Sequence, residues 1–356
     1  MLTPAPTPKA RLTRGSVRVL ILGGLLPFLT FGESNTCFVN RAAFDIGSGT
    51  TKFQIAYVNR CSNQVVKKVF EKDMKVSFKE ALLHNQNRFN ERIIQEGIFA
   101  INFLKKEGSK VAKVDEYSGV ATSAFREAQN GNEALRRLSQ ETKVPLRTIA
   151  QRDEGILGYY AVHAATKKPL TELIVWDIGG GSSQITYWNP LKNALSIKKP
   201  QTGSVPFKNW ILTSLQRKKE ARSPNPISSD TAKKAYQKAK DLGAAEKNTG
   251  FSLALKRSSD VYGIGGVHFY SIRNQLGPVT TYESSQLEKA FQERLGKNDE
   301  ALGGQYASTD VSNLLLVRGI MDGLGIRKVS PIKINMTDGI LINPAYWTPP
   351  PEHTQP

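Results

Sequence analysis

The stretch FDIGSGTTKFQIAYV, residues 44–58, ends an apolar run on Asp45, turns at once on Gly47-Ser48-Gly49-Thr50, and leaves again with apolar and polar residues alternating. Alternation at a period of two around a tight glycine turn is the pattern of a β-hairpin. The stretch LIVWDIGGGSSQITYW, residues 173–188, does the same: Asp177 closes an apolar run and Gly179-Gly180-Gly181-Ser182 turns the chain. Two such hairpins predict a duplicated unit.

The segments around them agree. Period-two runs at 38–45, 52–58 and 64–70, with short links, predict three antiparallel strands. An amphipathic helix follows over 87–106, with Ile93, Ile94, Ile98, Ile101 and Leu104 at helical spacing. Next come a strand near 112–121, a helix over 123–140, the short strand LRTIA and a helix opening at Asp153. From Leu173 the series restarts, with strands at 173–177, 183–188 and 194–199, helices at 204–218 and 229–242, and a strand ending DVYGIGG. The expectation is an α/β fold of two βββαβαβα units, domain I over 38–168 and domain II over 169–345, facing each other across a cleft. Residues 221–230, ARSPNPISSD, read as a loop whose end caps the next helix, and the Pro-rich residues 346–356 as a flexible tail.

Composition narrows the partners. A chain of 356 residues with 39% apolar and 22% charged residues has a globular composition, and its net charge of +18 favours anionic ligands. No aromatic-interleaved basic box, zinc-ligand spacing or basic zipper region appears, so sequence-specific nucleic-acid binding is not expected. Residues 1–32 carry Lys9, Arg11, Arg14 and Arg18 and then the apolar run VLILGGLLPFLTFG. This reads as a signal peptide or an N-terminal anchor, implying export to a bacterial periplasm or attachment to a membrane through that segment alone. Without those four basic residues the chain still carries +14. Only two cysteines are present, Cys37 and Cys61. A hairpin centred near Ser48 or Gly49 brings them opposite each other, so a disulfide is expected in an oxidising compartment.

A strand ending in Asp and followed by a glycine turn leaves backbone N–H groups pointing into one concavity, where phosphate oxygens can approach closely. The aspartate adds an oxygen ligand for Mg²⁺ or its waters. Asp45 and Asp177 are therefore the candidate metal residues. Gly47, Ser48, Gly49, Thr50, Gly179, Gly180, Gly181 and Ser182 are the candidate phosphate-binding residues.

The paired DIGSGT and DIGGGSS loops resemble the phosphate motifs of the actin-like ATPase superfamily, whose domains are ribonuclease-H-like. Together with GVATSAFREAQN, AQRDEGILGYYAV, TGSVPF and VYGIGGVHF, they resemble the exopolyphosphatase and guanosine pentaphosphate phosphohydrolase (Ppx/GppA) family, in its short two-domain branch. The resemblance runs from about Ala42 to Asn343. It implies hydrolysis of a terminal phosphoanhydride of polyphosphate or a related polyanion, with Mg²⁺ as cofactor, Glu154 as general base and Arg126 as a clamp on phosphate oxygens. It also makes a homodimer plausible. Lys52 is read as a solvated strand lysine that adds charge, and the four histidines receive no chemistry. Departures from the family pattern fall at Asp153-Glu154-Gly155, at GIGGVH (263–268) and at TDGILIN (337–343), which lacks the family's arginine. Two alternatives stand beside this reading: a non-catalytic phosphate or polyphosphate binder, and an actin-like ATPase or kinase with an adenosine pocket near Gly263–Gly266.

Overall fold

The computed structural model describes residues 37–347 apart from 84, 219, 259 and 305. The segment read as a leader, residues 1–32, lies outside the described residues. Strands β1 (Phe38–Ile46), β2 (Thr50–Asn59), β3 (Gln64–Lys75), β4 (Glu116–Ala121) and β5 (Leu146–Thr148) form one sheet in the order β3-β2-β1-β4-β5. Strands β6 (Ile174–Ile178), β7 (Ser183–Asn189), β8 (Ala194–Lys198), β9 (Val261–Ile264), β10 (Tyr282–Glu283) and β11 (Lys328–Pro331) form a second, ordered β10-β11-β9-β6-β7-β8. Without the two-residue β10 at its edge, the second sheet repeats the first. In each, three antiparallel strands come first and two parallel strands follow. This is the duplicated ribonuclease-H-like pattern expected from the sequence.

Equal register puts equal positions at the cleft. Asp45 on β1 faces Lys52 on β2 and Val120 on β4; Asp177 on β6 faces Gln184 on β7 and Ile264 on β9. The β1–β2 register, Phe38 opposite Asn59, also brings Cys37 to Cys61 with 5.2 Å between Cα atoms, and the two are joined in a disulfide at the open end of the hairpin.

Helices cover the outer faces. The Glu91–Ser109 and Gly131–Thr142 helices bury Ile93, Ile98, Leu104, Leu135 and Leu138 against the first sheet, and the Ser229–Ala245 and Ala307–Leu324 helices close the core of the second. Where the sequence suggests one helix over 123–140, there are two, Ser123–Glu127 and Gly131–Thr142. The break is held by Asn130, whose amide donates to the Phe89 carbonyl and whose oxygen accepts from the Phe89 N–H. Gly131 follows because a Cβ there would strike the Phe125 carbonyl.

Packing does not respect the sequence boundary near residue 168. The Gln151–Thr166 helix lies on the second sheet, where Gly155 and Gly158 allow contact with Thr186 and Ile264. The Met336–Ile342 helix returns to the first: Thr337 donates to Gln54 at 2.6 Å, and Asp338 accepts from Gln54 at 3.2 Å and pairs with Lys68 at 2.5 Å. The two helices meet where Gly339 packs on the Leu157 backbone. Ala43, Ala56, Val120, Leu157, Ile340 and Leu341 share one buried cluster there, beneath the cleft. Part of the expected tail is fixed as well: Trp347 stacks under Arg41 and Tyr346 under Arg147, and the Tyr346 carbonyl accepts from Ser118 at 2.6 Å. Two aromatic rings with cationic partners outweigh the local proline signal. No helix among the described residues is long and apolar enough to cross a membrane.

Candidate active site

Both glycine turns are closed by the same bond. The Gly47 N–H donates to the Thr50 carbonyl at 3.1 Å, and the Gly179 N–H to the Ser182 carbonyl at 2.9 Å. Both are braced in the same way from the chain that follows the third strand of their unit. Val76 and Lys79 N–H groups donate to the Gly49 and Ser48 carbonyls, and Ser204 and Val205 N–H groups to those of Gly179 and Gly180. With the carbonyls tied back, the Ser48, Gly49, Gly180 and Gly181 amides are left without a backbone acceptor among the described residues. None of these loop glycines has a positive φ. Their smallness serves close approach: a Cβ on Gly181 would collide with the Ser48 and Ser123 hydroxyls, and one on Gly180 would stand 3.4 Å from the Gly49 nitrogen. The loops meet tip to tip.

They line a cavity of about 960 Å³ that also takes in Asp45, Lys52, Glu154, Asp177 and Gln184. The sequence-derived residues are brought together there, with one exception. Arg126 does not line the cavity; it stands behind Glu154, with Nη1 donating to Glu154 Oε1 and, at 2.7 Å, to the Ile149 carbonyl.

Glu154 sits in the first turn of the Gln151–Thr166 helix, whose start is tied to β7 by Gln151 Nε2 donating to the Ser183 carbonyl at 3.0 Å. Of the two adjacent carboxylates, Asp153 is half-buried while Glu154 is 3% exposed and faces the cavity. Its second oxygen accepts from Gln184 Nε2 at 2.9 Å and Ser182 Oγ at 3.3 Å. Burial pushes the Glu154 pKa above the ordinary glutamate value, against the pull of Arg126 and Gln184.

The two aspartates differ. Asp45 is fully buried; Oδ2 accepts from Lys52 Nζ at 2.8 Å and Oδ1 has no partner. Burial pushes Asp177 up to about 7, Lys52 opposing and the Glu154 and Asp45 charges adding. Lys52 is not the solvated strand lysine suggested by alternation. Burial depresses its pKa, but Asp45 and the more distant Asp177 outweigh that and hold it above the usual lysine range. The third glycine turn completes the wall: Gly265, at φ +84°, runs so close to Asp177 Oδ1 that a Cβ has no room. Beside it His268 is wholly buried against Trp176. Its Nδ1 bonds Tyr282 Oη at 2.5 Å, and burial pushes its pKa down to about 3.

A family model for the Ppx/GppA phosphatases matches residues 57–221, which include Arg126, Glu154, Asp177 and the second loop. Over that stretch the chain matches the Ppx/GppA phosphatase family. A bifunctional 3-dehydroquinate synthase/phosphatase of Fusobacterium nucleatum is 27% identical over 154 residues, 42% of this chain and 23% of that protein. Exopolyphosphatase 1 of Mycobacterium bovis is 35% identical over 96 residues, 27% of this chain and 28% of that protein. The matched stretches thus span about a quarter of these relatives' own lengths. Among solved structures, the Ppx/GppA enzyme of Aquifex aeolicus superposes with a TM-score of 0.64 at 19% identity, covering 86% of this chain and 99% of that one. That likeness extends the Ppx/GppA fold across most of the chain.

The site has oxygen donors suited to a hard cation. Asp45 Oδ1 is a buried carboxylate oxygen without a partner, and Asp177 faces the same space. Among the described residues no three His, Cys, Asp or Glu side chains form a ready metal cage. Two carboxylates with water and phosphate completing the shell are the pattern Mg²⁺ accepts. The chain-wide positive charge is not concentrated here: the cavity is lined by five Lys and Arg side chains and seven Asp and Glu. Sequence reasoning missed Gln184 as a partner of Glu154, although it lies in the same hairpin directly across the ladder from Asp177.

Proposed function

We propose that this chain hydrolyses the terminal phosphoanhydride bond of inorganic polyphosphate or a related polyphosphorylated compound. The observation that carries the reading is the state of Glu154: a buried carboxylate, gripped on one oxygen by Arg126 and on the other by Gln184 and Ser182, beside two touching glycine loops. Phosphoanhydride hydrolysis needs a base near an attacking water and donors around the phosphoryl group. Glu154 takes the proton from that water, and Arg126 and Gln184 fix the carboxylate so that little reorganisation accompanies the transfer. The free amides of Ser48, Gly49, Gly180 and Gly181 bind phosphate oxygens, and the Lys52 ammonium adds positive charge beside Asp45. Asp45 and Asp177 would hold Mg²⁺, which supplies charge neutralisation on the phosphates when bound. Export is part of the same proposal, supported by the basic-then-apolar N-terminal run and by the Cys37–Cys61 bridge.

Phosphate release by residues 33–356 with Mg²⁺ from long-chain polyphosphate, guanosine pentaphosphate and ATP tests the reading, with Glu154→Gln as control. Release should fall by about 10² or more in the variant while polyphosphate binding persists. Activity that survives the change removes Glu154 from the mechanism, and binding without release from any substrate favours the non-catalytic binder. ATP belongs in the comparison because the cavity continues past Gly265 and Gly266 to Tyr270, Ser271 and Asn274, where a nucleoside has room.

A further inference from the structure

Beyond the two loops the cavity runs between the Phe78–Leu83 helix, on the first sheet's side, and the Ser204–Trp210 helix, on the second. Lys208 lines it, yet its side chain is only 5% exposed. Its ammonium faces the two oxygens of Glu80 at 3.3 and 3.2 Å and the Arg222 carbonyl at 3.1 Å. These contacts are long; charge-assisted N–H···O bonds usually measure about 2.7–2.9 Å. A buried ammonium is tolerated only when its donors are met, and here they are met loosely.

The position of the pair is informative. The Ser204–Trp210 helix starts on the second glycine loop, through Ser204 and Val205, and Lys208 follows Ser204 by one turn, roughly 6 Å along the axis. Glu80 belongs to the segment that braces the first loop through Lys79. The pair therefore spans the cleft between the two braces. Arg222 lines the cavity next to it and has no ion-pair partner among the described residues. In a cavity lined by more acids than cations, a cation that can leave its carboxylate is a place where a further phosphate can be met.

We infer that Lys208, with Arg222 beside it, forms a second phosphate-binding subsite that takes a phosphate group farther along the substrate than the one attacked, and that Glu80 is the counter-ion the substrate displaces. This rests on the phosphoanhydride reading of the site above. The exchange replaces one oxyanion by another, so the ammonium stays paired in both states and chain length, not the chemical step, is what it reads.

The test is kcat and KM with pyrophosphate, tripolyphosphate and long-chain polyphosphate for the full mature chain and for Lys208→Gln, Lys208→Arg and Glu80→Gln. Loss of one charge-assisted bond should raise the long-chain KM about tenfold in Lys208→Gln. Its kcat and its pyrophosphate KM should stay within about twofold, Lys208→Arg should restore the KM, and Glu80→Gln should lower it. Equal losses on every substrate, or a fall in kcat alone, overturn the subsite. If Lys208→Gln does not fold, Glu80→Gln decides: a long-chain KM that is unchanged or higher makes the pair a structural latch. If the unaltered chain releases no phosphate, the hydrolase reading fails separately. Thermal protection by the same three phosphates then decides this inference: protection that grows with chain length and that, for the longer chains only, is reduced in Lys208→Gln and increased in Glu80→Gln, each relative to its own unligated state, supports it, and protection independent of chain length overturns it.

Discussion

The two glycine loops have the same turn bond, the same brace from the following segment and an aspartate at the same register, but different residues opposite that aspartate. In the first unit Lys52 reaches across the ladder and pairs with Asp45. In the second Gln184 stands in the equivalent place, leaves Asp177 without that compensation and turns to Glu154. Duplication thus supplies two sets of backbone donors at no change of scaffold, and one position in each copy divides the remaining work. The first copy carries charge compensation; the second carries the orientation of Glu154. Asp177 is pushed up to about 7 for the same reason, since its burial is not offset by a bonded cation.

That division can be broken by mutation. After Glu154→Gln, the largest expected effect is in the pair Lys52→Gln and Gln184→Leu. Gln184→Leu should lower kcat by roughly tenfold with little change in KM, because a bond that orients Glu154, the proposed base, is lost. Lys52→Gln should instead raise the KM for polyphosphate. The same kinetic signature in both variants would mean that the two copies are not specialised. Next, Mg²⁺ affinity followed by thermal shift should fall by roughly tenfold from pH 8 to pH 6, because Asp177 must be ionised to bind and is protonated below about 7. Asp177→Asn should bind weakly at both pH values; a pH dependence that persists in it would place the titrating group elsewhere.

A smaller effect concerns Arg126, whose charge holds the Glu154 pKa down against burial. In Arg126→Gln that pKa should rise, moving the acid limb of kcat/KM to higher pH by about one unit. Part of the lost rate should return at pH 9. A uniform loss with an unmoved limb would indicate that Arg126 contacts substrate instead. The smallest effect is in His268. Its folded pKa of about 3 lies below the unfolded value of 6.5, so its full contribution to stability is present above pH 6.5 and is lost as pH falls toward 3. Over the first pH unit below 6.5 this amounts to about 1 kcal/mol, and chemical denaturation of His268→Asn should show a flatter pH dependence by that amount.

Much of the first unit was legible because its signals are local. Alternation, a two-residue glycine turn and helical spacing each depend on neighbours a few positions away, so β1, β2 and the Glu91–Ser109 helix fall close to where periodicity places them. Asn90 caps that helix by accepting from the Ile93 N–H at 3.1 Å, a bond spanning three residues. The split at Asn130 was not legible: it depends on Phe89, which is distant in sequence and near only after folding. RDEGILGYY was recognisable as a motif before its glycines had a reason. Gly155 and Gly158 are required because the helix lies against Thr186 and Ile264 of the other sheet.

By itself the sequence determined the duplicated hairpins, the two aspartates at their ends, the small residues at their turns and the proximity of Cys37 to Cys61, since strand register propagates residue by residue from a tight turn. Only the tertiary structure decided that Arg126 grips Glu154 from 28 residues away, that Gln184 meets it from 30, and that Lys208 faces Glu80 across 128. Those encounters follow from how two separately hydrogen-bonded sheets are packed together by exchanged helices. Side-chain contact across such a joint is set by volume and close approach in three dimensions, which leave no period in the chain.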